Sequence, residues 1–147
     1  MEGRDEAMGP RMPSGSQQAR AALSVLYVDA DLRNAERLVR GLAEVSALAV
    51  VPSVTAAYNA ISARVPSLIV TEIDLPDGSG LDLIARVHAT PGMRQVLLMV
   101  VTVRTSVQDK IAAFQAGADD YLVKPLDPSL FAMHVRLLSK FRSVVES

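Results

Sequence analysis

A chain of 147 residues, half of them hydrophobic, has room for one domain with a sizeable core and is too apolar to be disordered. A formal net charge of -1 gives no bulk attraction to nucleic acid or to an anionic membrane, and the absence of cysteine excludes disulfides, thiolate zinc sites and thiol catalysis while fitting a reducing cytoplasm. No apolar run approaches the roughly 18–20 residues needed to span a bilayer, so membrane insertion is not expected.

Residues 1–21 carry Gly, Pro, Ser, Gln and both signs of charge with almost nothing to bury. They read as a flexible leader without the apolar stretch of a signal peptide, which leaves 22–147 as the domain. Leu23 to Val28 is a short apolar run that stops at Asp29-Ala30-Asp31, as a buried strand would. Asp31 can cap a helix whose apolar residues Leu32, Ala35, Leu38, Val39, Leu42 and Val45 recur at spacings of three and four. Ala47 to Val51 is a second strand, and Ser53 or Thr55 can cap a helix through Ala56, Ala57, Ala60 and Ile61 that ends before Pro66.

Ser67 to Thr71 reads as a third strand, ending at Glu72, and Pro76-Asp77-Gly78-Ser79-Gly80 reads as a loop. Leu81, Ile84, Ala85 and His88 mark the next helical face, closed by Pro91-Gly92. Val96 to Thr102 is the most continuously apolar run, as expected of a central parallel strand covered on both sides. Ser106 and Asp109 have capping-box spacing, and Ile111, Phe114 and Gly117 supply a face and a stop. Tyr121 to Val123 is the last strand, and Asp127-Pro128 opens a final helix running towards Val145.

Five strands alternating with five helices call for an α/β fold with a parallel sheet and helices on both faces. In such a sheet, ligands bind beyond the carboxyl ends of the strands. Asp29 and Asp31, Glu72, Thr102 and Lys124 all fall there.

This sequence resembles the receiver domain of two-component response regulators, from about Leu23 to Phe141. The residues that carry the resemblance are the acidic stretch at Asp29, the Leu75-Pro76 to Gly80 loop, Val100-Val101-Thr102, the segment Gln115 to Tyr121 and the pair Lys124-Pro125. The resemblance implies a doubly wound, five-stranded flavodoxin-like fold. It also implies an aspartate that accepts a phosphoryl group from a histidine kinase with Mg²⁺ bound, and a hydroxyl and a lysine that grip that group. A switch aromatic then alters a partner surface. Carried over, Asp29 matches the first metal acid, Thr102 the switch hydroxyl, Tyr121 the switch aromatic, and Lys124 the phosphate-site lysine, whose bond to the following Pro is usually cis in this family.

Three positions depart from the family pattern. Glu72 stands where the family has the phosphoacceptor Asp. Its extra methylene displaces the carboxylate by about one C–C bond, roughly 1.5 Å, and misplacement of about 1 Å can cost on the order of 100-fold in rate. Ala30 replaces the second metal acid, and Mg²⁺ demands near-octahedral oxygen ligation, so binding should be weak or lost. Asp31 is better placed as a helix cap than as a substitute ligand. Val103 follows Thr102 where the family prefers a very small residue, and should narrow the entrance. A pseudo-receiver with no enzymatic activity is the reading these departures support. Its alternative is a phosphotransfer-competent receiver using Glu72 or Asp74, and a third is the purely structural regulatory end of a longer protein.

In a pseudo-receiver, Glu72 could reach Thr102 and Lys124 and imitate the phosphorylated state, or form a structural ion pair with Lys124. On the last helix Leu130, His134, Leu137, Phe141 and Val144 make one stripe, and Phe131, Val135, Leu138 and Val145 a second. The sheet can bury one fully. The other is expected to form, with the fourth helix and fifth strand, a face for a protein partner or a second copy. A histidine kinase or an output domain is among the candidate partners. His88 and His134 lack a second His at ligand spacing, and Arg33, Arg37, Arg40, Lys140 and Arg142 read as solvated faces, so neither metal nor direct nucleic-acid binding is expected.

Overall fold

The computed structural model describes residues 22–146, with side chains described to residue 140, so the proposed leader at 1–21 lies outside the described residues. Five parallel strands form one sheet in the order β2-β1-β3-β4-β5, where β1 is Leu23–Val28, β2 Val45–Val51, β3 Leu68–Thr71, β4 Leu97–Thr102 and β5 Asp120–Val123. The helices are α1 Leu32–Val39, α2 Val54–Ala63, α3 Gly80–Ala89, α4 Val107–Ala116 and α5 Pro128–Glu146. This is the parallel sheet with helices on both faces expected from the alternation of strands and helices, in the doubly wound order that the resemblance implies.

Two apolar clusters cover the two faces of the sheet. Leu26, Val28, Ile69, Leu98 and Val100 pack on one side with Ala57 and Ile61 of α2 and Leu83, Ile84 and Val87 of α3. Val25, Tyr27, Leu68, Val70, Met99 and Val101 pack on the other with Ala35 and Leu38 of α1 and Phe131 and Val135 of α5. Consecutive residues of a strand point to opposite faces, so β3 and β4, buried on both sides, are apolar at every position but their last, where Thr71 and Thr102 stand. All six residues of β4 are buried. Among the described residues no helix is long and apolar enough to cross a membrane.

Local signals mostly act where the sequence places them. Asp31 Oδ1 accepts the Asn34 amide at 3.1 Å, Ser53 Oγ accepts that of Ala56 at 3.2 Å, and Asp127 Oδ1 accepts those of Ser129 and Leu130 at 2.7 and 3.4 Å. Ser106 Oγ accepts the Asp109 amide at 3.0 Å, while its own hydroxyl donates to Asp109 Oδ2 at 2.8 Å. The Lys124-Pro125 bond is cis.

Several expectations need correction. α1 stops at Val39, with Leu42 in the turn that follows and Val45 opening β2, which therefore begins two residues before Ala47. The chain reverses there through Glu44, whose φ of 59° is left-handed, and Glu44 O accepts the Leu23 amide at 2.9 Å. α3 buries Gly80, Leu83, Ile84 and Val87, whereas Ala85 and His88 are exposed. α4 buries only Ala113, and the face that Ile111 and Phe114 supply is 50% and 49% exposed at these two residues. The Pro76–Gly80 loop is framed by a two-residue hairpin pairing Asp74–Leu75 with Gly78–Ser79. Its tip carries Asp77, whose carboxylate accepts the Val54 and Thr55 amides at 2.8 and 3.0 Å and so joins Ser53 in capping α2.

Candidate functional site

Ladder hydrogen bonds run one residue past each strand end: Asp29 N donates to Val51 O at 2.9 Å, Glu72 N to Val28 O at 2.9 Å, and Lys124 N to Thr102 O at 2.8 Å. The register therefore fixes Asp29, Glu72, Thr102 and Lys124 along one edge of the sheet. Gly80 lets α3 start against this edge, since a Cβ there would lie 1.9 Å from Glu72 O. The chain closes the turn with Gly80 N donating to Ile73 O at 2.8 Å.

The Lys124 ammonium stands between two buried carboxylates. Nζ donates to Asp29 Oδ2 at 2.6 Å and to Glu72 Oε1 at 3.0 Å, with Lys124, Asp29 and Glu72 side chains 13%, 4% and 8% exposed. The remaining oxygens are also engaged. Asp29 Oδ1 accepts the Asp31 amide at 2.9 Å, and Glu72 Oε2 accepts the Ile73 amide at 2.6 Å and that of Asp74 at 3.5 Å. Burial alone would pull the lysine pKa down, but the hydrogen bonds to Asp29 and then Glu72 outweigh it, and the net direction is up.

The sequence-derived residues are therefore only partly joined. Glu72 meets Lys124, but not Thr102. The Thr102 hydroxyl, fully buried, instead accepts the Arg104 amide at 3.3 Å. Tyr121 is half-buried, its hydroxyl donating to Arg104 O at 2.9 Å and its ring 6.5 Å from that of Phe114. Val103 is 64% exposed, so the narrowing expected of it is weak. Asp74, the alternative acceptor, is solvent-exposed and clamped by the Arg104 guanidinium at 2.7 and 2.9 Å.

Asp31 spends its carboxylate on the α1 cap, and Ala30 offers no oxygen from its side chain. Among the described residues no three His, Cys, Asp or Glu side chains converge on a metal position. The four oxygens of Asp29 and Glu72 each accept a hydrogen bond, and the Lys124 ammonium stands between the two carboxylates.

On α5 the stripes separate. Phe131 and Val135 are buried, and Leu138 packs on the same cluster, while Leu130 and Leu137 are 42% and 53% exposed, joined by Met133 at 38%. His134, on the same stripe as Leu130 and Leu137, pairs with Asp120 of β5, Nδ1 to Oδ2 at 2.7 Å. The Phe141 side chain lies outside the described residues. Two residues escaped the sequence reading. No motif marks Arg104, although it stands two residues past Thr102. Tyr27 is legible in the sequence only as part of a strand, yet its hydroxyl is the one buried side-chain polar atom without a partner among the described residues. Burial first, then the Asp29 and Glu72 carboxylates, push its pKa well up, so it stays neutral.

A family model described as response regulator receiver domain matches residues 25–136. A 14.6 kDa protein of Leptolyngbya boryana is 30% identical over 112 residues, covering 76% of this chain and 86% of its own. Response regulator protein PmrA of Pseudomonas aeruginosa is 39% identical over 85 residues, which is 58% of this chain and 38% of PmrA. Transcriptional regulatory protein PrrA of Mycobacterium leprae is 35% identical over 122 residues, 80% of this chain and 50% of PrrA. The chain thus spans half or less of these last two relatives. Among solved structures, one described as a response regulator from Chloroflexus aurantiacus superposes with a TM-score of 0.73 at 29% identity, covering 81% of this chain and 98% of that one.

Proposed function

The chain belongs to the response regulator receiver domain family, and from that premise we propose that it is a pseudo-receiver, a binding module of two-component-type signalling that works without phosphoryl transfer. The observation that carries this reading is the closed triad Asp29–Lys124–Glu72, with Lys124 Nζ 2.6 and 3.0 Å from its two carboxylates and a methyl group at Ala30. For Glu72 to attack a phosphodonor, a carboxylate must leave Lys124 and the Ile73 amide, and a metal must bind with one acid fewer than the family supplies. Asp74 as nucleophile would have to break a bidentate pair with Arg104. Glu72 acts as a structural ion-pair partner rather than as a full imitation of a phosphoryl group, because its contact is with Lys124 and not Thr102.

The working surface of this module is the α4–β5–α5 face, with Leu130, His134 and Leu137 on α5 and Phe141 continuing the stripe by sequence. Val107, Ile111 and Phe114 of α4, 65%, 50% and 49% exposed, extend it in support of a protein partner or a second copy. A histidine kinase or an output domain is the class of partner its relatives suggest, in the cytoplasm. The test is incubation of the full chain with a small phosphodonor and Mg²⁺, followed by intact mass. The expected result is an unchanged mass and, by NMR, an unmoved Asp29 amide resonance on adding Mg²⁺ alone. An adduct one phosphoryl group heavier would overturn the proposal in favour of the phosphotransfer-competent reading.

A further inference from the structure

Arg104 lies in the β4–α4 connection, and four structural units meet at it. Its Nε donates to Asp74 Oδ2 at 2.9 Å and its Nη2 to Asp74 Oδ1 at 2.7 Å, while Nη1 reaches Asp109 Oδ1, in the first turn of α4, at 3.4 Å. Its amide donates to Thr102 Oγ1 at the end of β4, and its carbonyl accepts the Tyr121 hydroxyl of β5 at 2.9 Å. Asp74 belongs to the hairpin that begins two residues after Glu72. One residue thus ties the loop beside the degenerate acceptor position to both the switch hydroxyl and the aromatic ring that lies against Phe114 on the exposed α4 stripe.

The geometry points to Arg104 as the positioning residue of this face: its clamp on Asp74 anchors the β4–α4 connection and thereby fixes where Tyr121 and the start of α4 stand. The inference deepens the pseudo-receiver reading and rests on it in one respect, that the face is held by an internal ion pair rather than by a transferred phosphoryl group. A planar guanidinium meets a carboxylate through two parallel hydrogen bonds, which fixes direction as well as distance; a lysine ammonium at the same position keeps the charge and loses the fork. The Arg104 and Asp74 side chains are 42% and 60% exposed, so the clamp adds little to global stability and is open to salt screening. Its signature is therefore local order at Tyr121 and α4.

The experiment uses the full chain, with NMR of the Tyr121 ring and amide hydrogen exchange along α4, in Arg104→Ala, Arg104→Lys, Asp74→Asn and the exchanged pair Asp74→Arg with Arg104→Asp. Arg104→Ala retains both backbone bonds and so isolates the side-chain clamp. The expected result is that Arg104→Ala and Asp74→Asn move the Tyr121 resonances the same way and speed exchange in α4 at least 5-fold, with β1 and β3 exchange and the urea midpoint unchanged. Arg104→Lys should give a partial version, the exchanged pair should return towards the parent, and 1 M salt should reproduce the change in the parent chain. Unmoved Tyr121 resonances in Arg104→Ala, or a change in Arg104→Ala that Asp74→Asn does not reproduce, would overturn the inference. A phosphodonor adduct on the parent chain would instead defeat the pseudo-receiver reading, and would leave these local results standing.

Discussion

At the scale of single residues, Lys124 decides the character of the site. It neutralises one of two adjacent buried carboxylates, and breaking a buried pair by removing one partner leaves an uncompensated charge. Lys124→Met is expected to lower stability by about 3–5 kcal/mol in urea denaturation. The pH dependence has a definite sign. Because the folded-state pKa of Lys124 lies above its ordinary 10.5, its stabilisation is complete below that value and is lost as pH rises through the folded pKa. Urea midpoints measured at alkaline pH should therefore fall in the parent chain from about pH 10.5 upward, with a shallower fall in Lys124→Met; parallel slopes would show that Lys124 does not carry the effect. The sequence made Asp29, Glu72 and Lys124 legible as neighbours because strand ends in a parallel sheet share an edge. It did not reveal that Thr102 would turn away to Arg104, since a hydroxyl chooses among donors and acceptors that only the folded loop presents.

At the scale of elements, α4 shows how far periodicity carries. Val107, Ile111 and Phe114 have helical spacing and look like an inner face, but α4 turns Ala113 inward and leaves those larger residues in solvent. Spacing fixes which residues share a face; it does not say which face meets the sheet. The C-terminus of α4 was legible, because Gly117 at φ 122° is the conformation that a side chain resists. A further constraint there was not legible: a Cβ at 117 would meet the His88 ring of α3 as close as 2.5 Å. Gly117→Ala is expected to cost about 1–3 kcal/mol from backbone strain, with an added steric part of which His88→Ala removes only the ring's share, because the His88 Cβ would itself lie 2.7 Å away. Thermal unfolding of the two single variants and the double variant gives the coupling directly. Additive effects would mean that His88 moves aside freely.

At the scale of the whole molecule, two apolar strips border β5: Val107, Ile111 and Phe114 on α4, and Leu130, Met133 and Leu137 on α5. Exposed residues contribute little to folding, so Ile111→Ser combined with Leu137→Ser should change stability by no more than about 0.5 kcal/mol per site. If the strips form one contact surface between copies, the mass of the parent chain in sedimentation should rise with concentration, and the same double variant should abolish that rise. An unchanged association would assign contact between copies to another surface.

The sequence by itself determined the alternation of strands and helices, a parallel sheet covered on both faces, most helix caps and the edge at which the polar residues gather, because each follows from local periodicity, capping chemistry or strand-end placement; the doubly wound order came from the family resemblance. Tertiary structure alone decided how those polar residues pair. Lys124 lies 95 residues from Asp29 and 52 from Glu72 along the chain, and Arg104 lies 30 from Asp74. Such pairings depend on loop paths and side-chain reach that no sequence window contains, and at this sheet edge they set the charge balance.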